Sequence, residues 1–382
     1  MTVTVVCDVL GKENNGTTIA AMNLIRSLKS KGWEVRVLCP DEDRKGQEGF
    51  FVVPKLSLGP LNGYVEKVGV SLAKSDLDII NSAIDGADIV HVMTPFMLGT
   101  KAMKAAKSKG IPVTAGFHCQ AENFTNHIFL MNSRFANKST YKAFYRYFYR
   151  HVDAVHYPTQ FIREVFEKEG GPTNAYVISN GVNRTFVPAD VPKPDELRDK
   201  FIILFTGRYS KEKSHRILID AASRSKHSDK IQLIFAGTGP LEPKLREMGE
   251  KLLKNQPIFK FFTRDEMLKV VNYADLYVHP AEIEIEAIAC LEAISCGLVP
   301  VIANSPRCAT KAFALGGNNL FNVNDSDDLA AKIDYWIENP EKKAECSRKY
   351  LGFTKQFDHD YCMDEMERML LETIKKLQTQ AG

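Results

Sequence analysis

Short apolar runs of strand length recur along the chain, each followed by a turn and then by a stretch with helical spacing. They lie at 3–9, 34–39, 89–93, 113–117, 154–157 and 175–179, and again at 201–206, 231–236, 257–262, 274–280 and 299–303. Runs that are apolar throughout predict strands buried on both faces, and helical connections between them predict parallel pairing. A chain patterned in this way is confined to doubly wound α/β domains, and 382 residues make room for two with a cleft between them. The stretch 187–200 holds three prolines and several charges and is the expected boundary.

Charge excludes one large class of partner. Lys and Arg number 50 against 47 Asp and Glu, so a nucleic-acid binder of the bulk-basic kind is not expected. The eight cysteines are scattered and form no CxxC pair, which fits free thiols in a reducing cytosol better than disulfides or a zinc site. Residues 1–10 are too short to span a membrane and lack a signal-peptide flank, and no later run of 18 apolar residues occurs.

Candidate chemistry falls where strands end. The turn at 11–16, closed by Gly16, joins the first strand to a helix, where backbone comes close to an anion; ordinary turns use the same residues. The dinucleotide fingerprint and the P-loop are both absent. His118 stands just past the carboxyl end of 113–117, the edge where open α/β sheets bind ligands. It reads equally as a ligand to a substrate oxygen and as a capping histidine, and Glu122 has the same two readings. After 201–206 come Arg208 and Lys213, suited to a diphosphate because Arg offers a fork of donors and Lys a point charge. After 231–236 come Gly237 and Gly239, a second glycine turn. In 280–300, PAEIEIEAIACLEAISCGLVP, Glu282, Glu284 and Glu286 are expected at or before a helix start, and Glu292 inside an otherwise apolar helix. Carboxylates are seldom placed so without a partner. Thr263 with Glu266 predicts a capping box, and 325–328 a structural helix start.

The segment 124–151 has no acid. Its basic residues Arg134, Lys138, Lys142, Arg146 and Arg150 fall at every fourth position, and Tyr141, Phe144, Tyr145 and Phe148 lie on another side. One reading is a helix docking on an anionic bilayer; the other is an aromatic face packed on its own domain with a solvated basic face.

In this order the residues resemble the family 4 retaining glycosyltransferases, which have the GT-B fold, two Rossmann-like domains facing a central cleft. Glu284 and Glu292 match the family's E-x7-E motif, and 296–300 resembles its glycine-proline segment. The match runs over nearly the whole chain. Residues 117–123 and 285–291 are similar to a bacterial subgroup near the 1,2-diacylglycerol 3-glucosyltransferases. Two departures stand out: Asn15-Gly16 where the family often has Gly-Gly, and side chains at 285–291 where it often has Gly-Phe-Gly.

The resemblance implies an amino-terminal acceptor domain at 1–190, a donor domain at 200–357, and a last helix, about 358–382, packing back on the first. It implies transfer of a hexose, glucose from UDP-glucose, to a lipid such as diacylglycerol with retention, giving an α-glycoside, and no need for a metal or Mg2+. Arg208 and Lys213 would neutralise the diphosphate, with Gly16, Gly237 and Gly239 near the nucleotide sugar. Glu292 would hold the ribose, Glu284 the sugar hydroxyls, and His118 would sit by the sugar and acceptor. Arg134, Lys138, Lys142, Arg146 and Arg150 would hold the enzyme peripherally on the inner face of the cell membrane. Other readings are a glycosyltransferase with a soluble acceptor, a non-catalytic nucleotide-sugar binder, and an NAD-dependent oxidoreductase, against which the missing fingerprint argues.

Overall fold

The computed structural model describes residues 1–8, 10, 16–56, 73–126, 130 and 132–381. The chain divides into two units, Met1–Asn180 with Asp360–Gly382, and Gly181–His359. The division precedes the proline-rich stretch instead of falling within it, because that stretch packs on the second unit. Val182, Phe186 and Leu197 join the second core. Val182 N–H donates to the Phe357 carbonyl at 2.7 Å, and Lys193 pairs with Asp275 at 2.6 Å.

The first unit runs β1 (Thr2–Val6), α1 (Gly16–Ser30), β2 (Glu34–Cys39), β3 (Phe50–Val52), α2 (Leu77–Ile84), β4 (Ile89–Val92), α3 (Met97–Ser108), β5 (Val113–Gly116), α4 (Ala121–Asn126), α5 (Arg134–Tyr147), β6 (Ala154–Tyr157), α6 (Gln160–Glu169) and β7 (Ala175–Val177). Its strands are all parallel, in the order β3-β2-β1-β4-β5-β6-β7. β1, β4, β5 and β6 are buried along nearly their whole length, as central strands of a parallel sheet covered on both faces are.

The second unit runs β8 (Phe201–Thr206), α7 (His215–Arg224), β9 (Ile231–Ala236), α8 (Glu242–Leu252), β10 (Ile258–Lys260), α9 (Arg264–Tyr273), β11 (Leu276–His279), α10 (Ile288–Ser295), β12 (Pro300–Asn304), β13 (Leu320–Asn322), α11 (Ser326–Glu338) and α12 (Pro340–Phe353). Its strands are parallel in the order β10-β9-β8-β11-β12-β13. Thr263 and Glu266 form the expected capping box at the start of α9, and Asp325 caps α11 by accepting from the Asp328 N–H. The last helix, α13 (His359–Ala381), buries Met363, Met366, Met369 and Leu370 in the core of β1, β2 and α1. The Trp33 indole N–H and Lys31 fasten it from outside, both to Glu367, at 2.7 and 2.8 Å.

In each sheet the strand order reverses once about a central strand, between β1 and β4 and between β8 and β11. Loops leaving the carboxyl ends of such a strand pair diverge to opposite faces and open a crevice, the usual ligand site of this architecture.

One expectation is corrected and one open choice is closed. The helix expected over much of 280–297 is only Ile288–Ser295, so Glu282, Glu284 and Glu286 lie in a loop. Tertiary pairing overrides their helix propensity: Glu284 bridges to Cys308, its carbonyl accepting from the Ala309 N–H at 2.9 Å, and Ala287 is left-handed at φ 61°. The aromatic face of α5 packs on its own unit. Tyr141, Phe148 and Tyr149 are buried, and Phe117, Tyr149 and Phe166 stand 4.6–5.2 Å apart by ring centroids. Contacts of this kind contribute about 0.5–1.5 kcal/mol each beyond area burial, and that decides where the face goes. The basic residues Arg134, Lys138, Lys142, Arg146 and Arg150 are all exposed, Arg150 lying beyond the helix in the turn Tyr149–His151.

Candidate functional site

The crevice of the second sheet is built from the loops after β8 and β11. Gly207 and Gly237 end adjacent strands, and the loops that follow are stacked on each other. A Cβ at Gly237 would stand 2.1 Å from the Gly207 carbonyl oxygen, and one at Gly239 would stand 2.5 Å from that of Tyr209. No side chain fits there, so these glycines serve the approach of loop to loop whatever else they meet. Tyr209 anchors the pair, its hydroxyl donating to the Phe235 carbonyl at 2.7 Å and its N–H to that of Thr238 at 2.9 Å. A single turn, Lys211–Lys213, follows, and Ser214 at φ 51° turns the chain into α7.

Both cations expected to await an anion already have one. The Arg208 guanidinium, 53 % exposed, donates to Glu212 Oε1 at 3.3 Å. Ser210 Oγ donates to the same oxygen, while the buried Glu212 Oε2 has no hydrogen-bond partner among the described residues. Lys213 Nζ pairs with Glu284 Oε2, the two side chains being 18 % and 17 % exposed. His279 Nε2 lies 3.6 Å from that same oxygen. Burial alone would raise the Glu284 carboxyl, but Lys213 and then His279 hold it down to about 2. Burial alone would lower the Lys213 ammonium, but Glu284 carries it above its ordinary range. The pair is charged at neutral pH.

Glu282 is a structural acid. Its carboxylate accepts from Ser214 Oγ at 3.1 Å and Arg307 Nη2 at 2.9 Å, and its carbonyl from Ser305 Oγ at 2.6 Å. It thereby locks the turn before α7 and the loop after β12 to the loop that carries Glu284. Glu292, in α10, has no hydrogen-bond or ion-pair partner among the described residues. Burial pushes its carboxyl up to about 7, with the charge of Arg264 opposing. Among the described residues no cluster of His, Cys, Asp and Glu could hold a metal ion.

In the first unit Gly16 opens α1 and is exposed, with open space where a Cβ would point; the rest of its turn, 11–15, lies outside the described residues. At the reversal between β1 and β4 sits Asp8, buried, accepting from Thr94 Oγ1 at 2.9 Å and the Leu98 N–H at 3.2 Å. Burial lifts its carboxyl to about 6 against those bonds. His118 folds back over the end of β5, its Nε2 2.4 Å from where a Gly116 Cβ would be. It meets His156 at 5.4 Å between rings, and His91 joins them around a cavity of about 10 Å3 closed by Met363 and Met366 of α13. His118 Nε2, His91 Nε2 and His156 Nδ1 are buried without hydrogen-bond partners among the described residues. Tyr141 Oη donates to Glu122 at 2.8 Å, a structural use of that acid.

Burial holds His91 down to about 3, His156 to about 4 and His118 well below its ordinary value. All three are depressed, so below about pH 6.5 the unfolded chain takes up protons that the folded chain refuses, and stability falls as pH falls toward the folded values. Between pH 7 and pH 5.5 the loss is about 1 kcal/mol per histidine, or roughly 3–4 kcal/mol for the cluster. Denaturant melts at the two pH values are expected to show it in the first unit; equal midpoints contradict it.

Asp8, His91, His156, Glu212 and His279 were missed in the sequence, although the carboxyl-end rule that singled out His118 applies equally to His279 and Asp8.

Two parallel, doubly wound sheets, one with a cation–carboxylate site at its strand reversal, are the architecture of the GT-B fold. The description "Glycosyltransferase Family 4" matches residues 14–186, and "Glycosyl transferases group 1" matches residues 187–350. The chain belongs to the family 4 glycosyltransferases, near the diacylglycerol glucosyltransferases. It is 22 % identical to an alpha-monoglucosyldiacylglycerol synthase of Acholeplasma laidlawii over 95 % of this chain and 94 % of that one. It is 24 % identical to a GDP-mannose-dependent alpha-mannosyltransferase of Corynebacterium glutamicum over 92 % and 84 %. Among solved structures, Anabaena HepE in complex with UDP and glucose has a TM-score of 0.76 at 17 % identity, covering 97 % of this chain and 100 % of that one.

Proposed function

We propose that this glycosyltransferase moves glucose from UDP-glucose to a lipid acceptor such as diacylglycerol, with retention, giving an α-glycoside. The observation that carries the reading is the Lys213–Glu284 pair at the β8/β11 reversal, with Glu292 unpartnered one helix beyond. Arg208, half exposed and loosely held, and Lys213 take the diphosphate. As the bond from the sugar's anomeric carbon to the phosphate oxygen breaks, charge grows on that oxygen, and fixed cations stabilise it more in the transition state than in the ground state. The acceptor oxygen bonds to the same face of the anomeric carbon and gives its proton to the departing phosphate, so no protein base is needed. Two ribose hydroxyls donating to Glu292 restore its charged form. Glu284 accepts from the sugar's hydroxyls. Mg2+ has no assigned part. The full-length likeness to a monoglucosyldiacylglycerol synthase supports the acceptor, and the likeness to GDP-mannose-dependent enzymes makes GDP-mannose the second donor to test. Calorimetry against both donors is the test: tight binding of UDP-glucose is expected, and no heat with either overturns the reading.

The basic row of α5 is assigned to an anionic inner membrane surface. Phe135 and Tyr147, 82 % and 65 % exposed, flank that row, the Arg146 guanidinium lying 5.9 Å from the Tyr147 ring centroid. Among the described residues no helix is long and apolar enough to cross a membrane. Each basic residue near an anionic surface contributes about 1 kcal/mol, so reversing Lys138, Lys142 and Arg146 to Glu is expected to weaken vesicle binding by a hundredfold or more, on the order of 3 kcal/mol. Flotation with phosphatidylglycerol vesicles at low salt checks it. Wild-type protein that stays with the soluble fraction removes the membrane assignment.

A further inference from the structure

His279 ends β11 beside Glu284, and the reaction described above makes no use of its titration. It is 2 % exposed. Its Nδ1 faces the Tyr277 hydroxyl at 3.5 Å. Its Nε2 stands 3.6 Å from Glu284 Oε2, too far for a hydrogen bond, and has no hydrogen-bond partner among the described residues. A bare ring nitrogen buried beside a carboxylate calls for an explanation. The arrangement supplies one: a single carboxylate oxygen, Glu284 Oε2, faces two groups that can be cations, Lys213 and His279. With Lys213 on that oxygen a second positive charge is superfluous. Burial then keeps His279 neutral, Glu284 opposing and Lys213 reinforcing the effect. The other charged or titratable groups that face it are Tyr277 on its own strand and His215 at the start of α7, whose ring nitrogens also lack partners among the described residues.

We propose that His279 is the alternate counter-ion of Glu284: when a nucleotide diphosphate takes Lys213, His279 binds a proton and closes onto the carboxylate. This rests on the reading of Lys213 as a diphosphate ligand. Drawing Lys213 away would otherwise leave a buried carboxylate uncompensated, which is severely unfavourable. With His279 protonated, Glu284 stays anionic and keeps its second oxygen for the sugar. His279 is a positioning residue, acting through Glu284. Donor binding then takes up a proton, and affinity rises as pH falls through neutrality, by up to about tenfold per pH unit.

Calorimetry of UDP-glucose at pH 7, in buffers of different ionisation heat, counts the protons exchanged. UDP-glucose has no group titrating near neutrality, so the exchange belongs to the protein. Glu292 releases part of a proton on the same event, so the readout is the difference between wild type and His279→Gln, whose amide still donates to Glu284. A difference of about one proton is expected, with the rise of affinity toward low pH lost in H279Q; equal proton counts overturn the proposal. Absent binding would instead defeat the donor reading, and a ligand-free measurement then decides. In Lys213→Met, or the milder Lys213→Gln, the His279 ring resonances are expected to titrate at higher pH than in wild type, where burial and Lys213 hold the ring down. A ring that titrates alike in all three proteins overturns the proposal.

Discussion

Lys213→Met is expected to abolish nucleotide-sugar binding and to destabilise the second unit by about 3 kcal/mol at pH 8, the lower end of the range for breaking a buried ion pair. The low end applies because each side chain keeps some contact with water, 18 % for Lys213 and 17 % for Glu284. The loss comes less from the missing attraction than from the carboxylate left behind. Two refinements separate this from ordinary loss of packing. At pH 6 the penalty is expected to shrink, because His279 can then supply the charge; its folded-state pKa is raised in this variant, so its contribution is present at low pH and lost as pH rises. Lys213→Met with Glu284→Gln is expected to be more stable than Lys213→Met alone, since the double variant strands no charge. Chemical denaturation of the four proteins of this cycle at the two pH values checks both. Additive losses with no pH dependence would show that the pair is not the coupled unit its geometry describes.

Glu284→Gln is expected to lower turnover at least roughly tenfold, about 1.4 kcal/mol of barrier, while leaving the fold intact. The amide keeps the shape and one acceptor oxygen, so Lys213 retains a neighbour and the loop from 280 to 287 retains its bridge to Cys308. What goes is the negative charge. The carboxylate, held down to about 2, is anionic throughout the working range and accepts from sugar hydroxyls more strongly than an amide can. Initial rates at saturating donor separate this from weaker binding. Turnover equal to wild type removes Glu284 from the reacting centre.

How much could be read in the sequence depended on what kind of force fixes each feature. The runs at 34–39, 201–206 and 231–236 are strands to the residue, because strands buried over most of their length leave a mostly apolar record bounded by polar turns. Short edge strands leave a weaker one: β7 and β10 fall within the runs read at 175–179 and 257–262, whereas β3 and β13, also three residues each, went unread. The loop holding Glu282, Glu284 and Glu286 reads locally as helix, and only its backbone pairing with Cys308, 24 residues on from Glu284, makes it otherwise. In the site, Arg208, Lys213, Glu284 and Glu292 were legible as charges at strand ends and inside an apolar helix. Their mutual neutralisation was not, since Lys213 and Glu284 are 71 residues apart. Nor was the work of Gly237 and Gly239, which depends on the neighbouring loop, or the meeting of His91, His118 and His156, which requires three parallel strands in register.

The central claim is that this site transfers a hexose to a lipid. The protein is incubated with UDP-glucose carrying carbon-13 in the sugar, together with anionic vesicles containing diacylglycerol, and the lipid extract is read by mass spectrometry for mass and by NMR for anomeric configuration, with the same reaction run in parallel for Glu284→Gln. The predicted result is labelled monohexosyl-diacylglycerol in the α configuration from the wild-type protein, diminished at least roughly tenfold in the variant. Labelled sugar recovered only in soluble products, or lipid product undiminished in Glu284→Gln, would contradict it.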